Sequence, residues 1–152
     1  MSIIVLNYNA KDFLINCIDS IFQSKYQNFE VILVDNNSDD NSFEICKNNH
    51  PEINLITNNT NLGYCGGNNI GIKQAKGKFI IILNPDTIVK PDWINEFLKS
   101  YEKFGDAIYQ PKFISIDDHE MILSTGQMIN LFGFGFSRDK GSYLKNKNYE
   151  SE

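Results

Sequence analysis

Along the first hundred residues, short apolar runs alternate with stretches in which apolar positions recur every three or four residues. Residues 2–6, 29–34, 53–56 and 79–83 are dense in Ile, Val, Leu and Phe, a composition and a length that suit strands better than helices. Between the first two runs, Phe13, Leu14, Cys17, Ile18, Ile21 and Phe22 fall on one helical face, and Asn9 stands where an N-cap belongs. The polar stretch Asp35-Asn36-Asn37-Ser38-Asp39-Asp40 suits a turn and then caps a second helix to about residue 48. Gly66-Gly67-Asn68-Asn69-Ile70-Gly71-Ile72 opens a third helix that runs to about Lys76. A fourth, with Pro91 in its first turn, carries Trp93, Ile94, Phe97, Leu98 and Tyr101.

Strand followed by helix, four times over, is the signature of an α/β fold: a mostly parallel sheet flanked by helices and joined by right-handed crossovers. The run 79–83 is unbroken and bounded by glycine and proline, which predicts a central strand buried on both faces. Beyond Gly105 the apolar runs 107–116 and 121–123 predict no clear helix.

In such a sheet the loops that follow the strands gather at the carboxyl edge, where ligands bind. Tyr8, Asp35, Asn61, Asn69 and Asp86 are far apart in the chain, yet this topology brings them to one rim. Asn84-Pro85-Asp86-Thr87 puts an amide and a carboxylate at the end of the most apolar strand, where chemistry is expected. Each motif also has a plainer reading. The same tetrapeptide is a turn that caps the next helix, Asp35-Asn36-Asn37-Ser38 is a loop and cap, and Tyr8 is a rim aromatic packed on the first helix. Gly66, Gly67 and Gly71 either let a phosphate approach the amides of a helix start or allow a helix to pack closely on the sheet.

Composition narrows the classes. With 152 residues, 41% hydrophobic and 22% charged, the chain is expected to form a single domain over 1–152. A net charge of -5 argues against nucleic acid as a partner and against a broad basic field for anionic lipid. Cys17, Cys46 and Cys65 are odd in number and lack Cys-x-x-Cys spacing, so reduced thiols are expected rather than disulfides or a zinc knuckle. No run approaches the apolar length of a membrane span and the start lacks a secretory pattern, which gives a cytoplasmic expectation. The chain starts almost inside a strand and ends in the polar stretch 145–152, as a portion of something longer would. His50 and His119 are isolated and are expected in surface or turn roles. Phe132-Gly133-Phe134-Gly135-Phe136 is expected to be an irregular segment, with the lining of a groove as its other reading.

Four motifs in order, Ile3-Ile4-Val5-Leu6-Asn7-Tyr8-Asn9, Glu30-Val31-Ile32-Leu33-Val34-Asp35-Asn36-Asn37-Ser38, Asn61-Leu62-Gly63-Tyr64 through Gly66-Gly67-Asn68-Asn69-Ile70-Gly71-Ile72, and Leu83-Asn84-Pro85-Asp86-Thr87, resemble the family-2 glycosyltransferases of GT-A fold, especially their rhamnosyltransferase-like branch. The resemblance implies that Asn84-Pro85-Asp86 is an Asp-x-Asp-like element, in which Asp86 reaches a divalent metal bridging the donor diphosphate. Asn84 supplies a neutral amide in place of the first carboxylate. Asp35 matches the acid that takes a base N–H, and Tyr8 a position beside the base. Asn7, Asn9, Asn37, Asn61, Gly63, Gly67, Asn68 and Asn69 complete the implied nucleotide-sugar site, with Asn68 standing where many relatives carry an arginine.

By the same resemblance the expected activity is inverting, metal-assisted transfer of a sugar from a dTDP- or UDP-sugar to a glycan or lipid-linked acceptor, in cell-wall or polysaccharide biosynthesis. The setting would be the cytoplasm, with peripheral association at the inner face of the membrane. The general base of such a reaction belongs to a later segment, expected beyond Glu152, so the chain would be a C-terminally truncated domain that holds the donor half. The other reading is a non-catalytic nucleotide-sugar-binding module. A dinucleotide domain is disfavoured because its glycine fingerprint belongs in the first strand-to-helix turn, here Asn7-Tyr8-Asn9.

Overall fold

The computed structural model describes residues 1–129, 131 and 135–146, which group into two compact units, Met1–Lys103 and Phe104–Glu152. Strands and helices alternate through the first unit as β1 (Ser2–Asn7), α1 (Lys11–Phe22), β2 (Glu30–Asp35), α2 (Ser42–Asn49), β3 (Asn54–Thr57), α3 (Gly63–Gln74), β4 (Ile80–Leu83) and α4 (Trp93–Phe104), the last residue of α4 being the first of the second unit. The four strands form one sheet in the order β3-β2-β1-β4, and every pairing is parallel. The register sets Asn7 beside Asp35, Asp35 beside Thr57, and Val5 beside Leu83, so all four strands end at one edge.

Alternation along β1 divides the core. Ile3 and Val5 join Leu14, Cys17, Ile18, Ile21, Val31, Leu33, Leu83 and Ile94 on one face. Ile4 joins Ile32 and Val34 on the other, where Leu6, Ile56, Ile72 and Ala75 pack against them. Strands covered on both faces read as continuous apolar runs, and residues 3–6 of β1 and 31–34 of β2 do so because each strand lies between two helical layers.

β4 departs from its expected central place. It lies at the end of the sheet, and Ile80 and Ile82 are 46% and 44% exposed, whereas Ile81 and Leu83 belong to the core shared with α1 and α4. Within this unit α3 spans β1 and β2 on its face and leaves β4 uncovered there. A buried-strand sequence therefore shows one wet face.

The third helix also starts earlier than the glycine run suggested. It begins at Gly63, which puts Gly66, Gly67 and Gly71 inside it. A Cβ on Gly67 would stand 2.3 Å from Leu6 Cδ1, and one on Gly71 2.6 Å from Ile4 Cγ2 and 3.1 Å from Val34 Cγ2. At 67 and 71 the plainer reading holds: glycine lets α3 lie close on β1 and β2. Other local expectations change as well. Phe13 is 57% exposed rather than on the buried face. His50 is not a loose surface residue: its ring stacks on Phe22 with centroids 4.9 Å apart and its Nε2 lies 2.7 Å from Asp19 Oδ1.

Among its described residues the second unit holds two small antiparallel pairs, β5 (Phe113–Ile114) with β6 (Ile122–Ser124) and β7 (Gln127–Ile129) with β8 (Gly135–Ser137), and a 3-10 turn at Leu144–Asn146. Gly135 and Phe136 are thus in a strand rather than an irregular segment, while residues 132–134 of the same glycine-phenylalanine run lie outside the described residues.

Candidate functional site

At the shared edge of the sheet, polar side chains tie the loops together strand by strand. Asn7 ends β1 fully buried. Its two amide hydrogens serve Asp35 Oδ1 at 2.8 Å, Ser38 Oγ at 3.0 Å and Ser42 Oγ at 2.7 Å, and its Oδ1 receives the Ala10 amide at 3.4 Å. Asp35, 6% exposed, takes Ser38 Oγ on Oδ1 at 2.6 Å and the Ser38 amide on Oδ2 at 3.0 Å. With the Asn7 contact, three of the roughly four acceptor positions of this carboxylate are filled from within the protein.

Asn9 does not cap α1. It sits in the left-handed region at φ 53, its amide donates to Ser38 Oγ, and its Oδ1 accepts from the Asp39 amide at 2.9 Å. Ala10 occupies the capping position without a side-chain bond. The orphan amide of Lys11 is taken instead by Asp40 Oδ2 at 2.9 Å, and Asp40 Oδ1 receives the amide of Ser42 at 3.0 Å, so one carboxylate satisfies the starts of two helices. Burial acts to raise the Asp40 pKa, but the bonds from the Ser42 hydroxyl and from the Ser42 and Lys11 amides outweigh it and hold the carboxyl below its ordinary value. Asn37 and Asn41 are left-handed too, at φ 67 and 59, the conformation that asparagine tolerates in tight loops.

The next loop is fastened from β2. Asn36, 1% exposed, binds Asn58, Asn61, Leu62 and Gly63 through its side chain, and Asn61 Oδ1 also accepts the Gly63 amide at 2.8 Å. The leading amides of α3, those of Leu62 and Gly63, thus have side-chain partners. Gly63 has φ +70 with nothing within 4 Å of where a Cβ would be, an open left-handed turn at the helix entrance. Further in, Asn68 is 3% exposed. Its Nδ2 donates to Tyr64 O at 2.9 Å, and its Oδ1 is the buried side-chain polar atom with no partner among the described residues. Asn69 is exposed.

On the far side of β1, Asn84-Pro85-Asp86-Thr87 closes as a turn through the Thr87 amide and Asn84 O at 3.2 Å. It rests on α1: Cys17 Sγ lies 3.6 Å from Asn84 O, and Ser20 Oγ takes the Val89 amide at 3.1 Å. Burial pushes the Cys17 thiol up to about 12, and the charge of Asp86 adds to the rise, which keeps this sulfur a neutral thiol. Asp86 and Asn84 are exposed. Since Leu83 pairs with Val5, the turn lies beside the end of β1, whose next residue, Tyr8, is 52% exposed.

The expected residues therefore fall into two groups at one edge. Tyr8, Asn9, Asn37, Asn61, Gly63, Asn84 and Asp86 meet solvent, and Asn69 does so a turn and a half into α3. Asn7, Asp35, Gly67 and Asn68 lie beneath. Asn36, Ser38, Asp40 and Ser42 were not singled out in the sequence; the signal was the density of short polar side chains after β2, which reads as turn chemistry wherever it occurs. As for a divalent ion, no group of three His, Cys, Asp or Glu gathers among the described residues. The exposed Asp86 carboxylate with the Asn84 amide fits Mg²⁺ or Mn²⁺ in the manner of ions that keep waters and take phosphate oxygens from a substrate.

The chain matches the model of glycosyl transferase family 2 over residues 2–150. It belongs to that family. Among curated family relatives, GlyG of Streptococcus pneumoniae, a glycosyltransferase, is 35% identical over 112 residues, covering 71% of this chain and 37% of its own. The WfgD protein of Escherichia coli, named a UDP-Glc:alpha-D-GlcNAc-diphosphoundecaprenol beta-1,3-glucosyltransferase, is 35% identical over 89 residues, covering 58% of this chain and 35% of its own. The chain thus spans about a third of the length of these relatives. Among solved structures, TarS 1-349 of S. aureus aligns with a TM-score of 0.61 at 25% identity over 67% of this chain and 32% of that one. The mannosyltransferase PcManGT of Pyrobaculum calidifontis, solved with GDP-Man and Mn²⁺, aligns with the same TM-score at 22% identity over 66% of this chain and 31% of its own. The α/β architecture is that of the GT-A glycosyltransferases. No described helix is long and apolar enough to cross a membrane.

Proposed function

We propose that this chain is the donor-binding portion of a glycosyltransferase that takes a sugar from a nucleoside diphosphate, with a divalent ion held at Asp86. The observation that carries the reading is the exposed Asp86 carboxylate, on a turn braced by α1, beside the end of β1 where Tyr8 is half exposed. The leaving nucleoside diphosphate concentrates negative charge; Mg²⁺ or Mn²⁺ held there would neutralise charge that grows on its phosphate as the sugar departs. Asp86 contributes one hard oxygen and Asn84 a neutral one. Tyr8 offers an aromatic surface to a base, and Asn7, Asp35 and Asn36 hold the loops from below.

The donor is a UDP- or dTDP-sugar in this reading. Support for the first comes from the relative WfgD, named for UDP-Glc and for a diphosphoundecaprenol-linked acceptor, which also favours a lipid-linked or glycan acceptor at a membrane surface. Inversion at the sugar requires a general base near that acceptor, and the reading assigns none within residues 1–152, Asp117 and Asp118 included. The test is calorimetric titration of the chain with UDP and with dTDP, with and without Mn²⁺, and with NAD as the contrasting ligand. Metal-dependent binding of a nucleoside diphosphate, lost in Asp86→Ala, is the expected result. Equal binding by Asp86→Ala, or no response to any nucleoside diphosphate, overturns the reading.

A further inference from the structure

A primary amide offers two N–H donors and an oxygen with two lone pairs. Asn36 uses all four: Nδ2 donates to Asn61 Oδ1 at 2.8 Å and to Gly63 O at 3.3 Å, and Oδ1 accepts from Asn58 Nδ2 at 3.0 Å and from the Leu62 amide at 3.1 Å. Every partner belongs to the segment 58–63, which leads from β3 into the first residue of α3. The Asn36 backbone is pinned the other way, its amide donating to Asn7 O at 2.8 Å, and the residue is 1% exposed.

We infer that Asn36 is a positioning residue, which fixes the loop that opens α3 against the end of β1 and sets the width of the donor cleft without touching the donor. A saturated side chain has no hydrogen-bonding capacity left for a ligand, so any effect it has on binding travels through the loop. The role demands this one side chain. In Asn36→Asp the shape is kept and the oxygens still accept from Asn58 and Leu62, but an oxygen replaces the group that donates to Asn61 Oδ1 and Gly63 O. Two acceptors then face a buried anion, an arrangement that is repulsive and leaves carbonyl oxygens unpaired. Asn61 extends the clasp by holding the Gly63 amide on the same oxygen that Asn36 binds.

That the ligand is a nucleoside diphosphate rests on the function proposed above; the clasp itself does not. If the loop is in its binding-competent form in a tenth of Asn36→Asp molecules, apparent affinity falls about tenfold. The experiment compares wild type, Asn36→Asp, Asn61→Ala and the double variant, by calorimetry with UDP and dTDP in Mn²⁺ and by amide exchange at Leu62 and Gly63. Ile94→Val, which removes a methylene from the α4 core away from the loop, controls for general loss of stability. Expected are faster exchange at Leu62 and Gly63 in Asn36→Asp with the sheet amides unchanged, weaker binding in both single variants, a double variant no weaker than the worse single one, and unaltered affinity in Ile94→Val. Unchanged Leu62 exchange overturns the clasp, with or without a ligand. Additive losses mean that Asn36 meets the ligand directly, and wild-type affinity in Asn36→Asp means that the loop does not govern binding; either overturns the inference. Wild-type protein that binds neither nucleotide defeats the proposed function, and exchange at Leu62 still decides the clasp.

Discussion

Asp35→Asn separates a ligand contact from an internal anchor. The wild-type carboxylate accepts Asn7 Nδ2 and Ser38 Oγ on one oxygen and the Ser38 amide on the other. An asparagine presents one oxygen and one NH₂ to the same three donors. With its oxygen toward Asn7, the NH₂ faces the Ser38 amide and leaves that N–H unpaired. Turned over, it keeps the Ser38 amide but sets an NH₂ against both Asn7 Nδ2 and the Ser38 hydroxyl, so two bonds are lost and Asn7 falls back on Ser38 and Ser42. The first orientation is therefore the less costly, losing one hydrogen bond to a charged acceptor, which is worth about 2 kcal/mol. For a chain of this length that corresponds to a melting temperature lower by roughly 4–8 °C. Thermal unfolding followed by circular dichroism, with nucleoside diphosphate titration beside it, reads both consequences. Destabilisation with weakened but measurable binding is expected. A variant as stable as wild type that binds no nucleotide would refute the reasoning, since Asp35 would then serve the ligand and not the loop.

Gly71→Ala should destabilise in spite of its helical setting. Alanine gains about 1 kcal/mol of helix propensity, but its Cβ would stand 2.6 Å from Ile4 Cγ2 in a core where Ile4 and Val34 are fully buried, and overpacking of that kind costs about 1–3 kcal/mol. A lower urea midpoint is expected, and an unchanged or higher one contradicts the close packing of α3 on β1. Stability should also fall in acid through Glu30 and Asp40. The Ser2 hydroxyl chiefly, opposed by burial and helped by the Lys76 amide, holds the Glu30 pKa below its ordinary 4.5, and Asp40 lies below its ordinary 3.8. Because both are lowered on folding, their contribution is complete above those ordinary values and is lost as pH drops through the folded ones. Urea midpoints measured from pH 7 down to 3 should decline less steeply in Glu30→Gln and Asp40→Asn than in wild type; parallel profiles would remove these carboxyls from the acid response.

Strand positions in the first unit were legible because a strand covered on both faces must be apolar along its covered length, and residues 3–6 and 31–34 fulfil that condition in sequence. β4 carries the same kind of run, yet Ile80 and Ile82 face solvent. No local pattern distinguishes it, since exposure there follows from the order β3-β2-β1-β4 and from how far α3 reaches across the sheet. The glycines of α3 show the same limit from the other direction. Their spacing suggested a helix entrance, but whether a missing Cβ admits a phosphate or a neighbouring strand depends on what stands opposite, and opposite Gly67 and Gly71 stand Leu6 and Ile4. His50 looked isolated because Phe22 and Asp19, its stacking and hydrogen-bonding partners, come from a different helix.

The polar residues at the carboxyl edge follow a physical division that composition cannot express. Asn and Asp have short side chains that serve equally as loop fasteners and as ligand contacts, so Asn7, Asp35 and Asp86 look alike in a sequence. Burial separates them. A group placed under two loops draws its partners chiefly from inside the protein: Asn36 fills all four of its positions and Asp35 three, with the hydroxyls and amides of neighbouring loops, as Asn7 also does. A group on the outer turn has no such obligation, and Asp86 is exposed. Rigidity below and exposed chemistry above are complementary demands. In the proposed reading an ion held by one protein carboxylate and a substrate's phosphates would have little protein coordination of its own, and the loops around it would need to be set beforehand by bonds that do not depend on the ligand. The dense run of Asn, Ser and Asp after β2 supplies such bonds, tying the first, second and third strand-to-helix loops together, and would answer that need in the proposed reading.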